Sequence, residues 1–159
     1  MTEMANGLEN INGNQIYYEY YKENPSRPTI LFIHGFLSSS FSFRKLYPLL
    51  KNEYNLISVD LPPFGKSGKS LKYVYSNENN ASSVISLLEK LGIEKVAVIG
   101  HSMGGQIGLR IAGKRPNLTE KAILLSSSGY LKPLKKSLAL LSYLPAFHRY
   151  VKNYLKKSG

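Results

Sequence analysis

Four short apolar runs separated by stretches of helical spacing constrain this chain more than any other feature: "PTILFI", "YNLISVD", "KVAVIG" and "KAILLSS". None alternates apolar with polar residues, which is the pattern of strands covered on both faces. Between the first two, Phe43, Leu46, Tyr47 and Leu50 recur at helical spacing and predict a helix. Between the second and third, Val84, Leu87, Leu88 and Leu91 form another stripe, and Gly92 suits its C-terminal cap. After the third, Met103, Ile107 and Ile111 share one helical face. Strands that alternate with helices predict an α/β fold whose parallel sheet is joined by right-handed crossovers. Ahead of this core, Asn12-Gly13 between two short runs predicts an antiparallel hairpin, because both residues tolerate positive φ. Behind it, Leu134, Leu138 and Leu141 predict one helix and Phe147, Tyr150, Val151 and Tyr154 a second, with Pro145 as the break and no strand between them.

With 159 residues, 43% of them apolar, the chain can build one domain with a real core. It has no cysteine, so disulfides and thiolate zinc sites are excluded, and it has no run long enough to span a membrane or to act as a leader. The expectation is a soluble, cytoplasmic protein without stable membrane insertion. The net charge of +11 is uneven. Residues 1–120 hold 13 basic and 10 acidic side chains, whereas 121–159 hold eight basic and none acidic. The excess belongs to the tail, where a solvated basic face is the ordinary reading, so no nucleic-acid partner is expected. The basic helix at Ala146–Lys157 keeps contact with an anionic membrane surface as a lesser alternative.

The chemistry concentrates in "VIGHSMGG". Ser102 stands between Gly100 and Gly104, behind a strand and ahead of a helix. A serine hydroxyl is a poor nucleophile unless it is exposed, loses its proton to a base and has its oxyanion stabilised. A tight strand-to-helix turn provides the exposure, and the helix N-terminus adds free N–H groups and partial positive charge. Gly100 and Gly104 keep that turn uncrowded, and Gly105 lets helix and strand approach closely. Two other glycine-rich stretches fail as nucleotide sites. "SGKS" at 67–70 has Pro62-Pro63 where a phosphate loop needs backbone donors, and "GHSMGGQIG" places Ser102 where a dinucleotide fingerprint needs glycine. No cofactor and no metal is expected.

His34-Gly35-Phe36 after the first core strand, "DLPPFGKS" after the second and "GHSMGG" after the third, in this order and spacing, resemble the α/β-hydrolase superfamily. The resemblance covers residues 8–130 and is nearest to the family's single-chain esterases, lipases and carbon–carbon hydrolases. It implies that Ser102 is the nucleophile and that the backbone N–H groups of Phe36 and Met103 form the oxyanion hole. It implies structural roles for His34, Gly35, Asp60, Gly65, Gly100, Gly104 and Gly105: His34 shapes the oxyanion loop, Asp60 forms a turn, and neither belongs to the catalytic triad. His101 matches a frequent neighbour of the nucleophile, with its side chain directed away from the hydroxyl. Serine rather than aspartate at 102 argues against the dehalogenase and epoxide-hydrolase branches.

In the family a helical cap follows the fourth strand, and two further strand–helix units then deliver the acid and the histidine. Here residues 1–130 correspond to the N-terminal part of the core, and 131–159 to the start of the cap. No residue matches the triad acid or histidine. His148 lies at the edge of an apolar stripe with no carboxylate after Glu120 to orient it, and reads as a boundary residue of a cap helix. The expectation is a carboxylic ester hydrolase of the serine type acting on a small ester or other carbonyl substrate, with this chain alone inactive or strongly impaired. The alternative is a non-enzymatic binding module, or pseudoenzyme, on the same fold. The last strand, taken as Ala122–Leu125, has an apolar outer edge, and a homodimer or larger assembly is expected to cover it.

Overall fold

A computed structural model describes residues 5–127. Six strands form one sheet: β1 (Ala5–Ile11), β2 (Asn14–Tyr21), β3 (Thr29–Ile33), β4 (Asn55–Val59), β5 (Val96–His101) and β6 (Thr119–Leu125). Their spatial order is β1-β2-β4-β3-β5-β6. The last four in that order run parallel to one another, while β2 meets β4 and β1 antiparallel. The hairpin forms as the sequence predicts: Asn12 and Gly13 take φ of 51° and 77°, and Ile11 pairs with Asn14. Two positive φ values in a two-residue loop match the twist of the flanking strands.

The unalternating strands are covered on both faces. Ile30 and Phe32 of β3, Leu56 of β4 and Ile99 of β5 pack with Phe43 and Tyr47 on one side. Strand geometry turns Leu31, Ile33, Ile57, Val59 and Val98 to the other side, where they are buried against α2 (Asn77–Lys90) and α3 (Met103–Lys114). Those helices contribute Val84, Leu87, Leu88, Ile107 and Ile111, each at most 1% exposed. Burial of each such side chain stabilises the fold by roughly 1.5–3 kcal/mol.

The helix expected over Phe43–Leu50 is not continuous. A 3-10 turn at Ser40–Phe43 and a single helical turn, α1 (Tyr47–Leu50), take its place. Pro48 explains the break, since it has no N–H for the carbonyl four residues back and is tolerated only in a first turn. Phe43 and Tyr47 nevertheless reach the core, the Tyr47 hydroxyl donating to Ser58 Oγ at 2.6 Å. Helix α2 starts ahead of its apolar stripe because Ser76 Oγ accepts the Asn79 N–H at 3.1 Å and caps it, and Gly92 at φ 68° follows its end. Strand β6 likewise starts at Thr119 rather than Ala122, with Glu120 as the extra residue of a bulge between the Val96–Thr119 and Ala97–Lys121 pairs. No helix among the described residues is long and apolar enough to cross a membrane. Residues 131–159, where the sequence leads to the expectation of two helices and the start of a cap and where His148 lies, are outside the described residues.

The topology fixes where a ligand can sit. The connection from β3 runs over one sheet face to β4, and the connection from β4 runs over the other face, past β3, to β5. Diverging connections leave a crevice at the carboxyl ends of β3 and β5, the usual binding position in open α/β sheets.

Candidate active site

Two segments meet at that crevice, the turn after β5 and the loop after β3. Ser102 takes φ 51° and ψ −115°, a conformation L-residues rarely adopt and one that costs about 1–3 kcal/mol. Its surroundings hold it there. The Ser102 N–H donates to the Leu125 carbonyl at 2.9 Å, and its own carbonyl accepts from the Gly105 N–H at 3.1 Å. The side chain is half-buried. Met103 opens α3, so its N–H is one of the first-turn amides without an intrahelical acceptor.

The glycines around Ser102 are required by backbone proximity. A Cβ on Gly104 would overlap the Ile33 carbonyl oxygen and lie 2.6 Å from the His34 carbonyl oxygen, while one on Gly100 would lie 2.6 Å from the Gly104 carbonyl oxygen. A Cβ on Gly105 would stand 2.5 Å from Ser127 Oγ. Gly35 ties the two segments together, since a Cβ there would meet His101 Nδ1 at 2.9 Å and Ser102 Cβ at 3.2 Å. His34, Gly35, Ser102, Met103 and Gly104 thus share one small region, with exposed Phe36 at its lip.

His34 is fully buried, and both ring nitrogens are engaged. Nε2 accepts the Leu61 N–H at 2.8 Å, and Nδ1 donates to the Gly35 carbonyl at 2.7 Å. Burial holds its pKa below the ordinary histidine value, against smaller upward pulls from the Gly35 carbonyl and the Asp60 carboxylate. A neutral imidazole with no free nitrogen cannot act as a base for Ser102. Asp60 is equally committed: Oδ1 accepts from the Ser40 N–H at 2.7 Å, Oδ2 from the Lys66 N–H at 2.8 Å, and its carbonyl from the Ser67 hydroxyl at 2.5 Å. Gly65, at φ 55°, sits so close that a Cβ would overlap the Asp60 carboxylate. Asp60 therefore organises the loop after β4 and anchors the turn after β3.

Phe64 is a site residue that sequence reasoning passes over. It is buried between His34 and Phe36, in edge contact with both rings at 5.9 and 5.4 Å between centroids. The only hint is its place in "PPFGK", a loop that otherwise reads as polar and turn-forming. Among the described residues, no imidazole or carboxylate hydrogen-bonds Ser102 Oγ, and no group of three His, Asp or Glu side chains is placed to hold a metal.

A family model described as the alpha/beta hydrolase fold matches residues 28–157. An uncharacterized hydrolase of Bacillus subtilis, YugF, is 48% identical over 149 residues, which is 94% of this chain and 54% of YugF. A Haemophilus influenzae protein provisionally described as an esterase/lipase is 31% identical over 125 residues, 79% of this chain and 41% of that protein. Among solved structures, a membrane phospholipase A described as a bacterial virulence factor superposes with a TM-score of 0.75 at 25% identity, covering 83% of this chain and 42% of the other. An α/β hydrolase from Novosphingobium aromaticivorans superposes with a TM-score of 0.76 at 22% identity, covering 89% and 50%, a likeness of fold. The chain spans about half the length, or less, of these relatives.

Proposed function

Because the chain belongs to the α/β-hydrolase fold family, we propose that it is a serine hydrolase of carboxylic esters with Ser102 as its nucleophile. The strained backbone of Ser102 at the head of α3, beside Gly35-Phe36, carries the reading. Oγ attacks the ester carbonyl carbon, the carbonyl oxygen becomes an oxyanion, and the N–H groups of Phe36 and Met103 are its proposed donors. The leaving oxygen takes up the proton that the serine hydroxyl gave to the base and departs as the alcohol while the carbonyl re-forms, giving an acyl-serine that water hydrolyses. The provisional esterase/lipase description of one relative and the presence of a membrane phospholipase A among the structural neighbours both favour an ester substrate.

The attack needs a base for the serine proton, and among the described residues no imidazole or carboxylate hydrogen-bonds Oγ. Loss of the triad base costs on the order of 10⁶ in kcat in a serine hydrolase. The chain assayed alone is therefore expected to turn over a short aryl ester at a rate within a few orders of magnitude of water. Turnover at an ordinary enzymatic rate that Ser102→Ala abolishes would show that a base reaches Ser102 from residues outside 5–127. A fluorophosphonate probe separates enzyme from binding module. Stoichiometric labelling of Ser102 supports the hydrolase, whereas a folded chain that binds ester analogues without labelling is the receptor-like alternative.

A further inference from the structure

The loops that follow β3 and β4 both leave the carboxyl end of the parallel strands, the end at which β5 leads into Ser102, and their charge has a single sign. Residues 36–46 and 61–77 contain Arg44, Lys45, Lys66, Lys69 and Lys72 and no Asp or Glu. They hold five of the 13 basic side chains of residues 1–120 and none of the 10 acidic ones. All five are exposed. Among the described residues, ion pairs engage Arg27, Lys90, Arg110, Lys114 and Arg115, and none of these five. The same stretches carry exposed apolar side chains: Phe36, Leu37 and Phe41 in the first, Leu71 and Val74 in the second. We propose that these two loops dock the Ser102 end of the molecule reversibly on an anionic lipid surface, with the cations at the headgroups and the apolar side chains among the upper acyl carbons. The inference goes beyond the Ser102 reading and does not depend on it.

The second loop presents its side chains on a closed turn. The Ser70 carbonyl accepts the Tyr73 N–H at 3.2 Å and the Tyr75 hydroxyl at 2.8 Å, and Ser70 Oγ accepts the Lys72 N–H at 3.2 Å. Tyr73 is the buried residue of the turn, its hydroxyl donating to Asn80 Oδ1 at 2.9 Å and meeting Ser83 Oγ at 2.9 Å, which fastens the turn to α2. With the turn so held, Leu71 stands fully exposed between Lys69 and Lys72, and Val74 is 69% exposed. A leucine left wholly in water adds nothing to the fold, whereas its burial at a bilayer surface is favourable. In the first loop the Arg44 guanidinium lies 3.8 Å over the Phe41 ring and donates to the Phe41 carbonyl at 3.0 Å, so cation and aromatic form one unit. Phe64 joins the two loops through its edge contact with Phe36, 5.4 Å between centroids. A nucleic acid would answer the cations but leave Leu37, Leu71 and Val74 in water. An anionic bilayer answers both.

The test is co-sedimentation of the full chain with vesicles of phosphatidylcholine alone and of phosphatidylcholine mixed equally with phosphatidylglycerol. Binding to the anionic vesicles is expected to be about tenfold or more tighter than to the neutral ones and to weaken as salt rises. The double substitution Lys69→Gln and Lys72→Gln should weaken it about tenfold or more, and Leu71→Ser about tenfold, with Tm unchanged in both because the altered side chains are exposed. The eight basic residues of 121–159 are common to every variant. Anionic-vesicle binding that survives both sets of substitutions therefore belongs to that segment and overturns the proposal, as does equal binding to the two vesicle types, or none. An oligonucleotide held more tightly than the anionic vesicles, and equally by the parent and Leu71→Ser, would make the loops a polyanion site and overturn it too. Ser102→Ala is expected to bind vesicles as the parent does, so the docking and the nucleophile stand or fall on separate measurements.

Discussion

At Ser102 the fold holds a residue in a conformation that glycine would adopt more cheaply. Ser102→Gly is therefore expected to raise the unfolding midpoint, by the equivalent of about 1 kcal/mol, while abolishing fluorophosphonate labelling. A drop in Tm would show that the turn is not strained. At Gly104 the opposite holds, because the atoms a Cβ would meet are backbone carbonyls of β3 and the loop after it. Gly104→Ala should cost about 3 kcal/mol or more, read from urea midpoints. His34 supplies a pH dependence. Its folded pKa lies below the ordinary value of about 6.5, so the unfolded chain binds a proton that the folded ring resists. Stability from this source is complete above that value and falls as pH drops toward the lower folded pKa. The charged group that acts on it is the Asp60 carboxylate, itself hydrogen-bonded to two backbone amides, and its pull is upward and smaller than the effect of burial. His34→Asn should flatten that acid limb while lowering stability at neutral pH, and an unchanged limb in urea midpoints taken across it would assign it to another group.

At the level of elements, the core strands are legible in the sequence because both of their faces are covered. Burial on two sides leaves uninterrupted apolar runs that need no partner to be read, and the Asn12-Gly13 turn is equally local. What escapes is set by geometry between elements. The stripe from Phe43 to Leu50 has helical spacing, but Pro48 divides it, and the two turns still bury Phe43 and Tyr47 by packing on β3. The bulge at Glu120 is invisible because it follows from the register between β6 and β5. At the site, the serine turn is read from its glycines, whereas the stack of His34, Phe64 and Phe36 joins residues of two different loops and has no signature along the chain. Ser76 is a local signal that the apolar stripe overshadowed. Ser76→Ala should cost about 1 kcal/mol, seen as a lower Tm and faster amide exchange in the first turn of α2.

For the whole molecule, the two ends of the sheet differ. Strand β6 exposes Ile123, Leu124 and Leu125 by 40–52%, and no described strand pairs with its outer edge. We propose that two copies pair along it, giving light scattering at micromolar concentration a mass of at least twice 17.8 kDa. Ile123→Lys should return the particle to a single chain, because a charge facing its mate opposes edge pairing. A parent that already scatters as one chain and binds no hydrophobic dye would remove the proposal. At the opposite end, β1 presents Asn6, Glu9 and Asn10, and Glu9 pairs with Lys90 at 2.6 Å. A sheet with one adhesive margin and one inert margin can join only once. Two such sheets consume each other's free margin by meeting across a twofold axis, and the composite ends in a β1 strand on either side. On that proposal the Asn12-Gly13 hairpin would act as a stop to growth, separating a particle that closes at two chains from one that would lengthen into a fibre.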